Sequence, residues 1–215
     1  MNQEQNFGMA VVLSGPSGVG KTTIYNAMKY RQEKEHFSKN DFHFSVSCTT
    51  RAKRHDEIDG MSYHFLKEDE FQKHLDAGDF LEHAEVHGFN YGTLKSELQH
   101  IKFGKDVLFD IDVQGMRQIR ASLAKDPFYG KRLVTIFIMP PSIQELERRL
   151  RGRKTETEAA IARRLTNAAK EMEAWREYDY LIINEDSNET AEELAKIMSS
   201  AHYLTSLLTM ETWKE

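Results

Sequence analysis

The stretch from Met9 to Thr23 reads MAVVLSGPSGVGKTT, and it predicts how the core of the chain folds. Its first part, Met9 to Ser14, is an apolar run typical of a strand that is buried on both faces. The next part, Gly15 to Thr22, matches the pattern G-x-x-x-x-G-K-[ST], in which backbone N–H groups surround a phosphate at the start of a helix. The stretch therefore predicts a strand, a phosphate-binding loop and a helix, in that order.

The loop residues have distinct expected roles. The lysine, Lys21, would reach the β- and γ-phosphates of a nucleoside triphosphate, and the hydroxyl of Thr22 would hold Mg²⁺. The predicted ATP-binding residues of this stretch are Gly15, Ser17, Gly18, Val19, Gly20, Lys21, Thr22 and Thr23. The loop alone leaves GTPases, ATPases and many kinases open.

Further apolar runs alternate with helical patterns along the chain. The runs are Val107 to Ile111, Leu133 to Met139 and the shorter Leu181 to Ile183. The helical patterns cover Thr22 to about Glu35, Val113 to Ala124, Ser142 to Arg151 and Glu156 to Arg176, and capping boxes are expected at Ser142 with Glu145, Thr155 with Glu158 and Thr190 with Glu193. This alternation predicts an α/β fold with a parallel β-sheet flanked by helices.

The segment from Phe42 to Tyr91 differs from the rest, because its apolar runs are short and its turns are frequent. We interpret it as a small mixed α/β insertion at the edge of the sheet. The whole chain is thus expected to be one domain, 1–215, with a core of 1–41, 98–141 and 166–215, an insertion at about 42–97 and a lid at about 142–165. A length of 215 residues suits one domain better than two.

Composition excludes several classes of function. The formal net charge of −5 argues against a nucleic-acid-binding surface, which normally needs a basic excess. The only cysteine, Cys48, cannot close an internal disulfide, which fits a reducing compartment. The polar N-terminus lacks the pattern of a signal peptide, and no apolar run approaches the roughly 18 to 20 residues that span a bilayer. We expect a cytoplasmic protein with no membrane partner, either a monomer or a homodimer.

Two arginines and a tyrosine suggest a clamp for a second phosphate. Arg51 and Arg54 lie three residues apart, and Tyr63 follows. Arginine supplies bidentate donors to phosphate oxygens, and a tyrosine hydroxyl can add another. Taken alone, such arginines are more often solvated surface residues.

Motifs along about four fifths of the chain resemble the guanylate kinase family. The matching stretches are LSGPSGVGKTT (13–23), SCTTR (47–51), EIDGMSYHF (57–65), FLEHAEVHGFNYGT (80–93), LFDIDVQG (108–115), PPS (140–142), GRKTETE (152–158) and IARRL (161–165). The resemblance implies a P-loop NTPase core with a GMP-binding insertion and a helical lid. It also implies transfer of the γ-phosphoryl group of Mg-ATP to GMP and dGMP, giving ADP and GDP.

The resemblance further implies which residues bind GMP. Arg51, Arg54, Tyr63 and Tyr91 would hold its phosphate, Ser47, Glu82 and Thr93 would recognise the guanine base, and Asp112 would lie near GMP. The chemistry supports the role of Glu82, because guanine presents N1–H and an N2 amine side by side to a carboxylate. Adenine lacks both donors, so it would leave that carboxylate unpaired at a cost of a few kcal/mol.

Other residues would serve the metal and the lid. Asp110 ends a predicted strand at the sheet edge where such folds bind ligands, and it is expected near Mg²⁺ and the phosphates. The expected catalytic residues are Lys21, Arg51 and the lid arginines Arg149, Arg153 and Arg164. These cations would close over the phosphates and neutralise their charge. Asn184 would contact the adenine ring.

Two other functions stay open at this level. A related kinase could use a sugar-phosphate acceptor, and guanylate-kinase-like modules in signalling proteins bind peptides without catalysis. The chain departs from common family residues at His55, Asn90 and Lys154, which affects the expected geometry of the phosphate clamp and the lid. His83 and His87 flank Glu85, but the spacing does not match the zinc-helix pattern H-E-x-x-H, so no metal site is expected there.

Overall fold

The computed structural model describes residues 7–35, 41–86, 88–152 and 157–207. Its strands are β1 (Ala10–Ser14), β2 (Phe42–Phe44), β3 (Cys48–Thr49), β4 (His64–Phe65), β5 (Phe80–Val86), β6 (Phe89–Leu94), β7 (Asp106–Asp110), β8 (Leu133–Met139) and β9 (Tyr180–Ile183). Its α-helices are α1 (Lys21–Glu35), α2 (Glu68–Ala77), α3 (Gln99–Lys102), α4 (Val113–Leu123), α5 (Ile143–Gly152), α6 (Glu158–Glu173) and α7 (Ser187–Ala201).

A parallel sheet of five strands forms the centre of the fold. Its strand order is β2-β7-β1-β8-β9, and every pair in it is parallel. All residues of β1 are buried, because apolar side chains cover both faces of the sheet. Helices α1 and α7 contribute to one of these layers and α4 to the other. The predicted α/β architecture with a parallel sheet flanked by helices is confirmed.

A second sheet of four strands, in the order β4-β3-β6-β5, lies between residues 48 and 94. It is mixed, because β3 pairs in parallel with β4 and antiparallel with β6. Its small core contains Cys48, Phe71 and Phe80, which packs α2 against the strands. The edge strand β2 pairs with β7 in the larger sheet, so the chain leaves that sheet after Phe44.

The three expected capping boxes have different outcomes. Ser142 accepts a hydrogen bond from the Glu145 backbone at 3.0 Å, which is one half of the expected box, while the Glu145 carboxylate accepts from Arg148 and Arg149. The capping box at Thr190 is wrong, because α7 begins a turn earlier and Asp186 accepts from its first free N–H groups. Thr155 lies outside the described residues, and Thr157 caps α6 instead.

No helix within the described ranges is both long enough and apolar enough to cross a membrane.

Candidate active site

The phosphate-binding loop connects β1 to α1, as the motif predicts. Gly18 and Gly20 adopt φ values of 91° and 110°, a region that L side chains rarely occupy. A Cβ atom on Gly20 would also lie 2.6 Å from Nδ2 of Asn184. Glycine is therefore required at Gly20 both by its backbone angle and by the close approach of a neighbouring side chain.

Lys21 begins α1 and points back across the loop. Its Nζ donates to the Gly15 carbonyl at 2.8 Å and lies 3.6 Å from the Asp110 carboxylate. The Asp110 side chain keeps 44% of its surface exposed, but the surrounding protein raises its pKa, against the opposing charge of Lys21. Thr22 and Thr23 follow Lys21 at the start of α1, and both are exposed. A cation, a carboxylate and the start of a helix thus meet at this end of the sheet.

Two side chains donate hydrogen bonds to the backbone of the phosphate-binding loop. The Asn184 amide donates to the Val19 carbonyl at 2.7 Å and accepts from the Thr190 hydroxyl at 2.9 Å. The Arg149 guanidinium donates to the same Val19 carbonyl and to the Asn184 carbonyl, both at 2.9 Å. Because both ends of its amide have partners in the protein, the buried Asn184 side chain positions the loop here. Its expected contact with adenine stays a prediction.

The lid arginines have different surroundings. Arg149 on α5 also pairs with Glu145, whose pKa falls to about 2 through hydrogen bonds from Arg148 and Arg149. Arg164 on α6 lies 3.5 Å from the Ser17 hydroxyl, measured from its Nη1. Helices α5 and α6 therefore bring two predicted catalytic arginines to the loop. Arg153 lies outside the described residues.

A hydrogen-bonded chain of three side chains occupies the smaller sheet. Glu82 on β5 faces Thr93 on β6, whose hydroxyl donates to the carboxylate at 2.7 Å. Ser47 lies 2.9 Å from the same hydroxyl, and it must be the donor because Thr93 has already given its single proton to Glu82. Glu82 is only 7% exposed, and burial raises its pKa, with a smaller contribution from the charge of Asp112.

The start of α4 lies against this carboxylate. Asp112 caps the helix by accepting from the Gly115 backbone at 2.8 Å. A Cβ atom on Gly115 would lie 2.2 Å from Cγ2 of Ile111 and 3.0 Å from Oε2 of Glu82. The absence of a side chain at Gly115 therefore leaves room for Glu82 beside the helix.

The predicted phosphate clamp contains a residue that sequence reasoning missed. Arg51 makes two hydrogen bonds to the Glu57 carboxylate, at 2.8 and 3.0 Å, and the Arg54 backbone donates to the same carboxylate at 2.8 Å. Hydrogen bonding from Arg51 above all lowers the pKa of Glu57 to about 2. Glu57 lies three residues after Arg54, and that spacing within a turn was the available signal.

Two tyrosines complete the clamp. Hydrogen bonding, mainly to Glu57 and further to Tyr91, raises the pKa of Arg51. The Tyr63 ring lies 5.9 Å from the Tyr91 ring and 5.6 Å from the Arg51 guanidinium, measured from ring centroids. Burial raises the pKa of Tyr63, and the charge of Asp110 adds to this effect.

The Arg54 side chain is exposed, and the hydrogen bond from this residue to Glu57 comes from its backbone N–H. Helix α6 also places Glu171 near the loop, where burial raises its pKa and the charge of Lys21 opposes that rise. Neither Glu57 nor Glu171 was among the expected site residues.

The fold and the loop define this chain as a P-loop nucleotide-binding protein with a second, polar binding cluster on an inserted sheet. Comparison with known proteins narrows that class. The sequence model of the guanylate kinase family matches residues 8–201. The chain therefore belongs to the guanylate kinase family.

Individual relatives agree with this assignment. The chain is 49% identical over 195 residues to the guanylate kinase of Nitratidesulfovibrio vulgaris, covering 90% of this chain and 87% of the relative. It is 43% identical over 194 residues to that of Chelativorans sp., covering 90% and 83%. The crystal structure of guanylate kinase from Anaplasma phagocytophilum superposes with a TM-score of 0.72 at 32% identity, covering 96% of this chain and 93% of that one.

Proposed function

We propose that this protein transfers the γ-phosphoryl group of Mg-ATP to GMP and dGMP, giving ADP and GDP or dGDP. The buried carboxylate of Glu82, linked through Thr93 to Ser47, is the observation that carries the proposal. Its free acceptor positions suit the adjacent N1–H and N2 amine of guanine. Adenine would leave the remaining acceptor positions of this buried carboxylate unpaired, which disfavours AMP strongly.

Ser47 would complete the recognition of the base. In the structure its proton goes to Thr93, so the hydroxyl must turn before it can donate to guanine O6. Adenine carries an amine at the corresponding position and would offer Ser47 no acceptor. Two polar groups would then discriminate in the same direction.

Arg51, Tyr63 and Tyr91 would bind the GMP phosphate, with Arg54 joining from the exposed side. Arg51 is already oriented by its two bonds to Glu57, so less freedom is lost when it binds an anion. Glu57 competes with phosphate for the same guanidinium donors. Arg51 would therefore keep one donor on Glu57 and direct another at the phosphate.

The residues near Lys21 fit a magnesium ion. Hard oxygen ligands suit Mg²⁺, and a hydroxyl at Thr22 and a carboxylate at Asp110 lie at the same end of the sheet. When bound with ATP, Mg²⁺ would neutralise charge on the β- and γ-phosphates. Lys21 would bind the same phosphates, exchanging the Gly15 carbonyl for a phosphate oxygen.

Catalysis would rest on positioning and charge neutralisation, since a phosphate acceptor is already anionic and needs no general base. Arg149 and Arg164 lie beside the loop, and their proposed role is to contact the transferring phosphoryl group together with Arg153. For Arg149 this requires exchange of backbone carbonyls for phosphate oxygens.

We also propose that the chain is divided as the sequence predicts. The core would comprise 1–41, 98–141 and 166–215, the GMP-binding insertion about 42–97 and the lid about 142–165.

A coupled assay of ADP release tests the proposal, with GMP, dGMP, AMP, CMP, UMP and ribose 5-phosphate as acceptors. We expect turnover with GMP and dGMP and at most trace turnover with the others. Preferred use of ribose 5-phosphate would support the sugar-phosphate kinase instead. A folded protein that consumes no ATP with any acceptor would support the non-catalytic module and refute the proposal.

A further inference from the structure

Outside the nucleotide cleft, three potential metal ligands converge where the chain passes between its two sheets. They are His43 on β2, Glu97 in the 3-10 turn Lys95–Leu98, and His100 on α3. One ligand atom from each lies within 4.8 Å of the other two. This is the only such group of three His, Cys, Asp or Glu residues within the described ranges.

We infer that His43, Glu97 and His100 form a binding site for one divalent transition-metal ion, of which Zn²⁺ and Co²⁺ are the best matched. Two imidazoles and one carboxylate are a common donor set for these ions, and they leave a fourth position for water. Nothing in the proposed nucleotide chemistry uses these three residues. The site is therefore separate from the proposed magnesium position at Thr22 and Asp110.

The hydrogen bonds of the cluster leave the His100 ring available to coordinate a metal ion. Nε2 of His43 lies 2.9 Å from Oε2 of Glu97, and the Val46 backbone donates to the same oxygen at 3.1 Å. His100 stacks on His43 with ring centroids 3.8 Å apart, but its ring has no hydrogen-bond partner among the residues that the structure describes. A partly buried imidazole without a partner has a free lone pair for a metal ion.

The carboxylate of Glu97 favours a cation at this position. It would offset part of the charge of a divalent ion, while the nearby positive charge of Lys105 acts against it.

The spacing requires only a modest adjustment. Ligand atoms of a tetrahedral zinc site lie about 3.3 Å apart, as follows from metal–ligand distances of roughly 2.0 to 2.1 Å. The His43–Glu97 pair is already at 2.9 Å, so the main change is rotation of the His100 ring. The side chains of His43 and Glu97 are 27% and 13% exposed, which gives an ion a path from solvent.

A metal ion at this site would connect the segments that join the two sheets. The chain leaves β2 through residues 45–47 to enter the small sheet, and it returns through 95–98. Glu97 already joins these two connections through Val46, and a bound ion would add β2 and α3 to the same junction. Such a cross-link would restrict movement of the small sheet relative to the large one.

Titration of chelator-treated, full-length protein with Zn²⁺ by calorimetry, and with Co²⁺ by visible absorption, tests the site. We expect one saturable site per chain that 5 mM Mg²⁺ does not displace, and Co²⁺ bands typical of tetrahedral coordination. Replacing His100→Ala should weaken binding at least about tenfold, since even substitutions around metal ligands cost about 10- to 100-fold. The His83→Ala variant removes an exposed histidine of the small sheet and should bind like the unchanged protein.

His100→Ala removes no hydrogen bond, so we expect it to fold, and the circular dichroism spectrum checks this. His43→Ala provides a second variant, and it should lose the same site. Absence of saturable Zn²⁺ binding, or equal affinity in the unchanged protein and both variants, would overturn the inference. Loss of binding in His83→Ala alone would place the ion elsewhere and overturn it as well. These readouts do not depend on the proposed kinase activity.

Discussion

The replacement Glu82→Gln tests how the protein recognises its acceptor base. It keeps the size of the side chain and removes its charge. In the structure the Thr93 hydroxyl donates to one carboxylate oxygen at 2.7 Å, so in the proposed complex the remaining lone pairs would accept from the guanine. In the variant the amide oxygen would keep Thr93, and the NH₂ group would face the two guanine donors.

The expected loss follows from those contacts. Each hydrogen bond to a charged group contributes about 1.5 to 3 kcal/mol, and two such bonds to guanine would be lost. We take a total of about 3 to 4 kcal/mol, which corresponds to a fall of roughly 10² to 10³ in kcat/KM for GMP. The KM for ATP should change less than about threefold, because Glu82 bonds to Thr93 within the small sheet, whereas the phosphate loop follows β1 of the large sheet.

Steady-state kinetics of ADP release, with GMP and ATP varied in turn, measure this difference. Glu85→Gln is the matched control, since it removes an exposed carboxylate from the same strand and should leave both substrates unaffected. Equal losses for GMP and ATP in Glu82→Gln, or a loss below about fivefold for GMP, would refute the base-recognition argument.

The raised pKa of Glu82 adds a check on folding and on pH dependence. Because the pKa of Glu82 is higher in the folded than in the unfolded state, folding favours protonated Glu82. The contribution of protonated Glu82 to stability is therefore present at low pH and is lost as the pH rises through the folded pKa. Glu82→Gln should therefore show an equal or higher Tm at pH 7.5. In the unchanged protein, kcat/KM for GMP should decrease as the pH is lowered, and the decrease should begin at a pH above the usual pKa range of glutamate. The variant should not show this decrease.

Three further variants test other contacts. Glu57→Gln should raise the KM for GMP about tenfold with little effect on ATP, because Arg51 loses its charged partner and its orientation, and kinetics measure both. Lys21→Ala should lower kcat on the order of 10³-fold or more with an unchanged circular dichroism spectrum. Thr190→Val should cost about 1 to 3 kcal/mol in urea unfolding, because it leaves the buried Asn184 oxygen unpaired.

Each of these variants has an outcome that contradicts its reasoning. Unchanged GMP kinetics in Glu57→Gln would mean that Arg51 needs no partner to bind phosphate. Turnover in Lys21→Ala close to that of the unchanged protein would exclude the proposed phosphate contact. Equal urea midpoints for Thr190→Val and the unchanged protein would mean that water replaces the lost hydroxyl.

Local features of the chain were predictable because neighbouring residues produce them. The apolar run before Gly15 and the glycines after it lead to a buried strand and a positive-φ loop at the expected positions. Three further apolar runs predicted parallel strands. Two of these strands, β7 and β8, are buried almost throughout, whereas the edge strand β9 keeps Leu181 and Ile183 exposed. The edge strand β2, by contrast, has only three residues and no distinctive pattern.

Helix boundaries show where local rules stop being sufficient. Thr190 and Glu193 have the spacing of a capping box, but Asp186 lies upstream and accepts two N–H groups at the actual start of α7. The chain continues as a helix through Thr190 because its buried face packs on α1 and the sheet. The Thr190 hydroxyl instead donates to the Asn184 side chain, a contact that no local sequence pattern predicts.

The amino-acid sequence by itself determined the order of the elements, the phosphate-binding loop and the polar residue types that serve a nucleotide, because these depend on neighbours within a few positions. Tertiary structure alone decided that Arg149 supports Val19 and that Thr93 lies between Ser47 and Glu82. Both arrangements join distant parts of the chain, so they depend on distances and burial that appear only when the sheets and helices pack together.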